Sequence, residues 1–194
     1  MYPGIHPVNI LMKYFTGKGD KGKTTIAEKK ISKDNFVFEV LGELDELNSL
    51  IGLAKNYLPK KFYLDLTKIQ NNLFIIQANV AYFLYKKFEP PKLKKEEILN
   101  LEEEIKKIET KVPSHKFIIY GSNKDSAWLD YLRAVTRRVE RRIVKFLSHG
   151  FTRIPKQINT DDILAYLNRL SSYFYALARF ICYNKKIKEK EPWY

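Results

Sequence analysis

The sequence predicts an all-α protein, a five-helix antiparallel bundle. Five segments place apolar residues at alternating spacings of three and four, which is the period of one helix face. Proline, glycine or a capping residue stands at most of their ends, and no convincing pair of strands is visible between them. Amphipathic helices joined by short links favour packing against one another in alternating directions.

The first two predicted helices are the most apolar. The first runs from about Phe38 to Tyr57 and ends at Pro59, and the second runs from about Phe62 to Lys87 and is closed by Pro90 and Pro91. Proline stops a helix because it lacks a backbone N–H and clashes with the preceding turn. The apolar stripes comprise Leu44, Leu47, Ile51 and Ala54 in the first helix and Leu66, Ile69, Leu73, Ile76, Val80 and Phe83 in the second.

The other three predicted helices are more highly charged. The third runs from about Lys94 to Lys111, the fourth begins near a cap formed by Ser122 and Asp125, and the fifth begins at Thr160, an expected N-cap. Their stripes comprise Ile98, Leu101, Ile105 and Ile108 in the third, Leu132, Val135, Val139, Ile143 and Phe146 in the fourth, and Leu167, Leu170, Phe174, Leu177 and Ile181 in the fifth.

The flanking segments divide the chain further. We expect residues 1–12 to form a flexible extension and residues 13–184 to form the bundle domain, which opens with a Gly- and Lys-rich loop over 13–38. Residues 185–194 form a charged tail that we expect to fray.

Composition restricts the function. The net charge of +13 on 194 residues is typical of an anion-binding protein, or of a lysine-rich surface with no special partner. The single cysteine, Cys182, excludes an intramolecular disulfide and a cysteine metal cluster, and its apolar surroundings favour a buried, inert thiol. We see no signal peptide and no apolar stretch long enough to span a bilayer, so we expect a cytoplasmic protein without a membrane partner.

A glycine- and lysine-rich run from Thr16 to Thr25 is the first candidate site. Glycine lets backbone N–H groups approach phosphate oxygens, and lysine neutralises their charge. The run lacks the Gly-Lys-Ser/Thr ending of a Walker A loop, so a flexible polar turn is an equally good interpretation of this run by itself.

The second candidate site lies on the fourth helix. Arg133, Arg137 and Arg141 are spaced by four residues and therefore project from one side, where guanidinium groups suit triphosphate oxygens and carboxylates. A solvated basic face with intrahelical ion pairs and a nucleic-acid contact are the alternatives. The whole cluster comprises Arg133, Arg137, Arg138, Glu140, Arg141 and Arg142.

Two further groups of polar residues lie on apolar helices. The acids of Gly42–Ser49 suit a helix start, and Asp45 has the alternative of pairing with an arginine from elsewhere. Asn168 and Arg169 stand between apolar positions of the fifth helix and need hydrogen-bond partners if they are buried.

In order and spacing these clusters resemble the PduO-type ATP:cob(I)alamin adenosyltransferases over about residues 13–184. The matched elements are T-x-x-G-D-x-G-x-T/S from Thr16 to Thr24, Lys33-Asp34, G-x-x-D-E-L-N-S-x-I-G from Gly42 to Gly52, R-x-x-x-R-R-x-E-R-R from Arg133 to Arg142, and L-N-R-L-S-x-Y from Leu167 to Tyr173. The chain departs from the family at Gly17, where a basic residue is usual, at Tyr120–Ser122, where a Pro-Gly-Gly turn is usual, and at Ser172, where aspartate is usual.

The resemblance implies a five-helix bundle that forms a homotrimer with active sites between subunits. It implies that Arg133 pairs with Asp45 of the adjacent subunit, and that Phe117 excludes the lower axial ligand of cobalt, so Arg133, Arg137, Asp45 and Phe117 are the expected catalytic residues. The implied ATP-binding residues are Thr16, Gly17, Lys18, Gly19, Asp20, Gly22, Thr24, Thr25, Lys33, Arg137, Arg138, Glu140, Arg141 and Asn168.

The implied reaction transfers the 5′-deoxyadenosyl group of ATP to the cobalt of cob(I)alamin and releases triphosphate. Mg²⁺ would be held mainly by ATP and not by protein ligands, and a reductase and an adenosylcobalamin-dependent acceptor enzyme are expected partners. An ATP- and cobalamin-binding carrier or sensor of the same fold is the nearest alternative, and the altered turn at Tyr120–Ser122 leaves it open. A basic nucleic-acid-binding protein explains neither the Gly-Asp loop nor Asn168-Arg169, and a ferritin-like metal bundle requires Glu-x-x-His pairs that do not occur here.

Overall fold

The chain divides into two compact units, Met1–Asn35 and Phe36–Tyr194. A computed structural model describes residues 15, 17, 19–26, 29–86, 89–113, 117–149 and 154–193. The predicted extension over residues 1–12 and two predicted loop residues, Thr16 and Lys18, lie outside the described residues.

Five α-helices make up the second unit, as the sequence predicts. They are α1 (Phe36–Lys55), α2 (Tyr63–Tyr82), α3 (Lys95–Lys111), α4 (Lys124–His149) and α5 (Thr160–Asn184), with a short 3-10 helix, Lys60–Phe62, leading into α2. The second helix ends at Tyr82, five residues before the predicted end, because the next residues close tighter turns onto Val80 and Ala81. None of the helices described here combines the length and apolarity that a membrane crossing requires.

The helices pack as an up-and-down bundle. The largest contacts join α4 to α5, α3 to α5, and α1 to both α2 and α4. The ion pairs of Arg138 with Glu43 and of Arg142 with Glu39 show that α1 and α4 are antiparallel, because later residues of one helix meet earlier residues of the other. Because consecutive helices of an up-and-down bundle alternate in direction, the third and fifth helices run the same way. The contacting helices α3 and α5 therefore pack as a parallel pair.

The predicted apolar stripes form the core. Every stripe residue named above is buried except Ile105, which is half-buried because it lines a cavity described below. Full burial of a leucine or phenylalanine side chain contributes about 2 kcal/mol to folding. The largest fully buried side chains are Tyr166, Phe146, Phe174, Leu44, Leu47, Ile51, Leu66, Leu73, Ile76, Leu129, Leu132 and Ile143.

Both predicted N-caps are displaced by one residue. The cap of α4 is Asn123, whose Oδ1 accepts the backbone N–H groups of Asp125 and Ser126 at 3.0 and 3.2 Å, and not Ser122. The cap of α5 is Asn159, whose side chain accepts the N–H of Asp162, so Thr160 is the first helical residue. Asparagine is as good a cap as serine or threonine, and in each case it directly adjoins the residue predicted from sequence.

The first unit contains a strand pair that the sequence did not predict. Strands β1 (Lys23–Ile26) and β2 (Lys29–Ser32) are antiparallel, with Lys23 opposite Ser32. Each strand has only four residues and alternates too briefly to give a periodic signal. The prediction of a loop without strands over residues 13–38 is therefore wrong for this hairpin.

The charged tail contacts the bundle as far as Lys190, so the prediction that it frays is wrong for residues 185–190. Lys186 adopts a left-handed backbone with φ of 55° and reverses the chain after α5. The N–H of Ile187 then donates to the carbonyl of Cys182 at 2.9 Å, and the N–H of Ile119 donates to the carbonyl of Lys190 at 2.8 Å. These contacts return the tail to the segment that precedes α4.

Candidate active site

The hairpin brings the glycine-rich run and Lys33 together within the first unit. The backbone N–H of Lys33 donates to the carbonyl of Gly22 at 2.9 Å and extends the pairing of β1 with β2. The Lys33 ammonium lies over Gly19 so closely that a methyl group added at Gly19 would come within 3.0 Å of Nζ. Glycine at position 19 therefore allows a positive charge to approach the loop backbone.

Two turns shape the same loop. The N–H of Asp20 donates to the carbonyl of Gly17 at 3.4 Å, and the N–H of Gly22 donates to the carbonyl of Gly19 at 3.2 Å. Gly17 and Gly22 have φ values of +67° and +70°, a region that favours glycine. Asp20 and Thr25 are exposed and Thr24 is half-buried, so the loop presents polar groups and cations on an open surface.

The arginines of α4 fall into two sets with different surroundings. Arg138 donates from Nε to Glu43 of α1 at 2.7 Å and also binds Glu46, while Arg142 binds Glu39 at 2.9 Å and Glu43 at 3.4 Å. Both guanidinium groups are therefore neutralised by Glu39, Glu43 and Glu46 of α1, of which only Glu39 lies in the first turn, so Glu43 and Glu46 pair with α4 and do not cap the start of the helix. This pairing reduces the positive charge that α4 would offer to nucleic acid.

Arg133 and Arg137 instead line a cavity between α3, α4 and α5. Its volume is about 380 Å³, and it is open to solvent. Phe117 stands at this cavity with its side chain 79% exposed, so the structure brings together three of the four predicted catalytic residues. The cavity is lined by Ile105, Ile108, Glu109, Val112, Phe117, Tyr120, Arg133, Arg137, Ser171, Ser172, Tyr175, Ala176 and Arg179.

Among the described residues, no carboxylate forms an ion pair with Arg133 or Arg137, two of the arginines that line the cavity. The guanidinium of Arg133 lies 4.7 Å from the ring centre of Tyr120, and its buried Nε has no hydrogen-bond partner. Arg137 is exposed and forms no ion pair with any described residue. Arg141, predicted to share this face, is exposed but does not line the cavity. Unpaired guanidinium groups beside an apolar wall are suited to bind an anionic ligand.

A polar network joins α3, α4 and α5 beside this cavity. The amide of Asn168 donates to Glu140 at 3.0 Å, Arg169 donates to the Asn168 oxygen at 2.8 Å, and Arg169 also binds Glu102 at 2.8 Å. The requirement that Asn168 and Arg169 find partners is met by these contacts. Glu140 and Asn168, both predicted ATP-binding residues, are therefore positioned by each other.

Sequence reasoning missed an ion pair behind the cavity. Arg179 donates to both carboxylate oxygens of Asp130, at 3.0 and 3.1 Å, and both side chains are buried. Burial acts to lower the pKa of Arg179, but the Asp130 carboxylate, together with Glu189 and a hydrogen bond to Tyr175, outweighs it and the pKa is raised. A lone arginine within the apolar run from Ala176 to Cys182 was the signal that could have identified the pair.

Asp45 lies on a different face of the bundle. It is exposed in a shallow depression of α1 and α2 beside Phe74, whose side chain is 58% exposed. No ion pair joins Asp45 to Arg133 within the described part of this chain, and their predicted pairing between subunits stays a prediction.

Metal-ligand clusters and the single cysteine were the remaining candidates for site chemistry. No group of three or more His, Cys, Asp or Glu side chains among them could hold a metal ion. Cys182 is buried, and burial raises the pKa of its thiol. A thiol with a raised pKa is a poor nucleophile, in agreement with the inert thiol expected from the sequence.

Comparison with known proteins gives one consistent result. A family model described as cobalamin adenosyltransferase matches residues 14–181. The corrinoid adenosyltransferase of Bacillus subtilis is 36% identical over 88% of this chain and 86% of its own length, and the corrinoid adenosyltransferase MMAB of Homo sapiens is 34% identical over 92% of this chain and 72% of its own.

A solved structure has the same fold. A variant PduO-type ATP:corrinoid adenosyltransferase from Lactobacillus reuteri, complexed with cobalamin and ATP, superposes with a TM-score of 0.82 at 30% identity, covering 93% of this chain and 97% of that one. The matched region includes the loop of the first unit and all five helices, apart from the last residues of α5. The chain therefore belongs to the cobalamin adenosyltransferase family.

Proposed function

We propose that this chain transfers the 5′-deoxyadenosyl group of ATP to the cobalt of cob(I)alamin. A bond forms between cobalt and the 5′ carbon, the bond from that carbon to the triphosphate oxygen breaks, and triphosphate leaves with the electron pair. Cobalt supplies both electrons of the new bond and passes formally from Co(I) to Co(III). The observation that carries the proposal is the cavity where Phe117 meets Arg133 and Arg137, two arginines that form no ion pair with the described residues of their own chain.

The leaving group explains the cationic residues. Triphosphate gains negative charge as it departs, so prepositioned guanidinium groups stabilise the transition state more than the bound substrate. Arg137 is suited to this role because it is exposed at the cavity and no carboxylate among the described residues neutralises it, whereas Arg133 is assigned below to a pairing with Asp45 of the next subunit. Lys33, whose ammonium lies over Gly19, supplies a further positive charge, which we also assign to the phosphates of ATP.

The corrin is assigned to the apolar part of the cavity. Phe117 is the most exposed aromatic side chain there, and we propose that it occupies the space below cobalt and keeps the axial ligand and water away. Removal of that ligand favours reduction of cob(II)alamin to the nucleophilic cob(I) state. Positioning then supplies most of the acceleration, because no protein nucleophile or general base is required.

Further components complete the proposal. We propose that ATP carries its own Mg²⁺, since the described residues offer phosphate-binding cations and no carboxylate cluster. We also propose a homotrimer in which Asp45 of one subunit pairs with Arg133 of the next, supported by the exposed Phe74 beside Asp45.

The proposed reaction has two protein partners, a reductase that delivers electrons to cobalt and an acceptor enzyme that uses the adenosylated product. We propose that the reaction takes place in the cytoplasm.

An anaerobic assay tests the function. We expect the protein with cob(I)alamin and MgATP to produce the absorbance spectrum of adenosylcobalamin together with one triphosphate for each product. ATP labelled at its 5′ carbon should deliver that carbon to cobalt. Binding of both ligands without product would contradict the proposal and favour the carrier or sensor alternative.

A further inference from the structure

The segment that carries Phe117 is fixed to the bundle at two points. The N–H of Ile119 donates to the carbonyl of Lys190 in the tail at 2.8 Å, and the N–H of Gly121 donates to Oδ2 of Asp130 on α4 at 3.0 Å. Gly121 has a φ of +84°, so its turn also relies on glycine. Ile119 and Gly121 flank Tyr120, which is therefore held between the two anchors.

One buried cation connects these anchors. The Arg179 guanidinium binds Asp130 through NH2 and approaches Oε1 of Glu189 to 2.8 Å through Nε. Glu189 is the neighbour of Lys190, whose carbonyl accepts the bond from Ile119, and Asp130 accepts the bond from Gly121. Arg179 therefore contacts both places where the segment is anchored. The Arg179 side chain is only 3% exposed and also lies 4.9 Å from the ring centre of Tyr175. Because Asp130 and Glu189 are both acids with little exposure, Arg179 is needed to hold them near each other.

The anchored segment faces the proposed reactive groups. The ring of Tyr120 packs over the guanidinium of Arg133 at 4.7 Å, and Phe117 stands two residues before the first anchor. All three line one cavity, which Arg179 also borders. Movement of the segment would therefore shift an aromatic wall of the cavity and the Arg133 side chain that packs against it.

We propose that Arg179 is a positioning residue for corrinoid adenosylation, which bridges Asp130 and Glu189 and thereby holds residues 117–121 against the cavity. Arg179 donates no proton and binds no substrate phosphate in this role. It acts through the backbone of Ile119 and Gly121, as groups that orient a ligand-binding residue do in other sites. The kinetic part of this proposal rests on the proposed function.

Hydrogen–deuterium exchange and kinetics test the proposal in the full-length protein. In Arg179→Met, we expect faster exchange in the peptide that covers residues 117–123, because both amide anchors loosen. We expect kcat/KM for cob(I)alamin to fall about 10-fold or more, while KM for ATP changes by less than about twofold, since the loop and Arg137 remain in place.

Two further variants make the test specific. Lys185→Met removes an ion pair with Asp125 at 2.7 Å that joins the same two helices without contacting residues 117–121, and it should leave exchange and kinetics unchanged. Glu189→Gln removes one arm of the bridge without leaving a charge deep in the core, and should shift both readouts in the same direction as Arg179→Met by a smaller amount.

The possible results separate this proposal from the function on which it rests. Wild-type exchange and wild-type corrinoid kinetics in both Arg179→Met and Glu189→Gln would overturn the positioning role. If Arg179→Met does not fold, Glu189→Gln decides alone. If the unaltered protein forms no adenosylcobalamin, the proposed function fails, and the exchange measurement still shows whether Arg179 holds the segment.

Discussion

Arg137 differs from the neighbouring arginines of α4 in what surrounds it. Arg138 and Arg142 are occupied by the glutamates of α1, whereas Arg137 is exposed at the cavity and has no acidic partner among the described residues. Removal of its guanidinium should therefore affect ligand chemistry and not folding. This contrast within one helix allows a matched comparison of two arginines.

We expect Arg137→Ala to lower kcat about 100-fold or more, because a preorganised cation is lost from the departing triphosphate. Anaerobic steady-state kinetics with MgATP provide the measurement, and far-ultraviolet circular dichroism should show unchanged helix content. Arg142→Ala is the control. It should retain activity within about twofold and lose about 1 kcal/mol or less of stability, since its ion pairs are partly exposed.

The two variants are informative in combination. If Arg137→Ala were as active as the unaltered protein, Arg137 would have no role in catalysis. An equal loss in both variants would show that the charge of α4 as a whole matters, and not the position of Arg137 at the cavity. Arg137→Lys should recover part of the rate, since it restores charge without the planar fork of the guanidinium.

At the residue scale, sequence reasoning grouped the residues that line the cavity better than those that support them. Spacing by four residues predicted that Arg133 and Arg137 share a face, but the ion pairs of Arg138 depend on the approach of α1, which is a tertiary contact. Asp130 and Arg179 are 49 residues apart, and each stands within a largely buried stretch of its helix. Their pairing depends on the register of α4 against α5, which apolar periodicity does not specify.

Among the elements, α4 carries both arginine sets, and its start is fixed by a reciprocal cap. Asn123 Oδ1 accepts two backbone N–H groups, while the Asn123 N–H donates to the hydroxyl of Ser126 at 3.2 Å. The amide of Asn123 also approaches the sulfur of Cys182 at 3.2 Å, so this cap ties α4 to α5.

We expect Asn123→Ala to lower the free energy of unfolding by about 1 kcal/mol, because two N–H groups lose their acceptor. Urea denaturation monitored by circular dichroism measures the change. Asn123→Asp should lose less, since a carboxylate accepts the same bonds and is favoured by the dipole at a helix start. Ser122→Ala is the control. If Ser122→Ala lowered the free energy of unfolding more than Asn123→Ala, Ser122 would be the N-cap, as predicted from the sequence.

The elements also show where periodicity fails as a signal. Helices of 17 to 26 residues repeat their apolar spacing several times, and all five were identified. The hairpin of β1 and β2 repeats its alternation only twice, and its main consequence is the approach of Lys33 to Gly19. The family resemblance implied that the loop and Lys33 both bind ATP, but their approach to each other could not be derived from a four-residue pattern.

At the scale of the whole molecule, the bundle was predictable because its core is periodic, whereas assembly depends on surfaces. Phe74 and Asp45 are exposed on the outer face of α1 and α2, and nothing in the spacing of the sequence states what covers them. The proposed trimer assigns that face to the next subunit, and the proposed active site then needs Arg137 from one subunit and Lys33 from its neighbour. Both proposals are tested by one mixing experiment.

We expect Lys33→Ala and Arg137→Ala to be severely impaired alone and partly active when co-expressed in equal amounts. In a mixed trimer with sites between subunits, each site draws Lys33 and Arg137 from different chains. Random assembly therefore gives about a quarter of sites with both residues intact. If both residues of a site came from one chain, every site would carry a defect and mixing would restore nothing. Activity near a quarter of wild type, in particles of trimeric mass by light scattering, supports the shared site, and activity no higher than the mean of the two variants contradicts it.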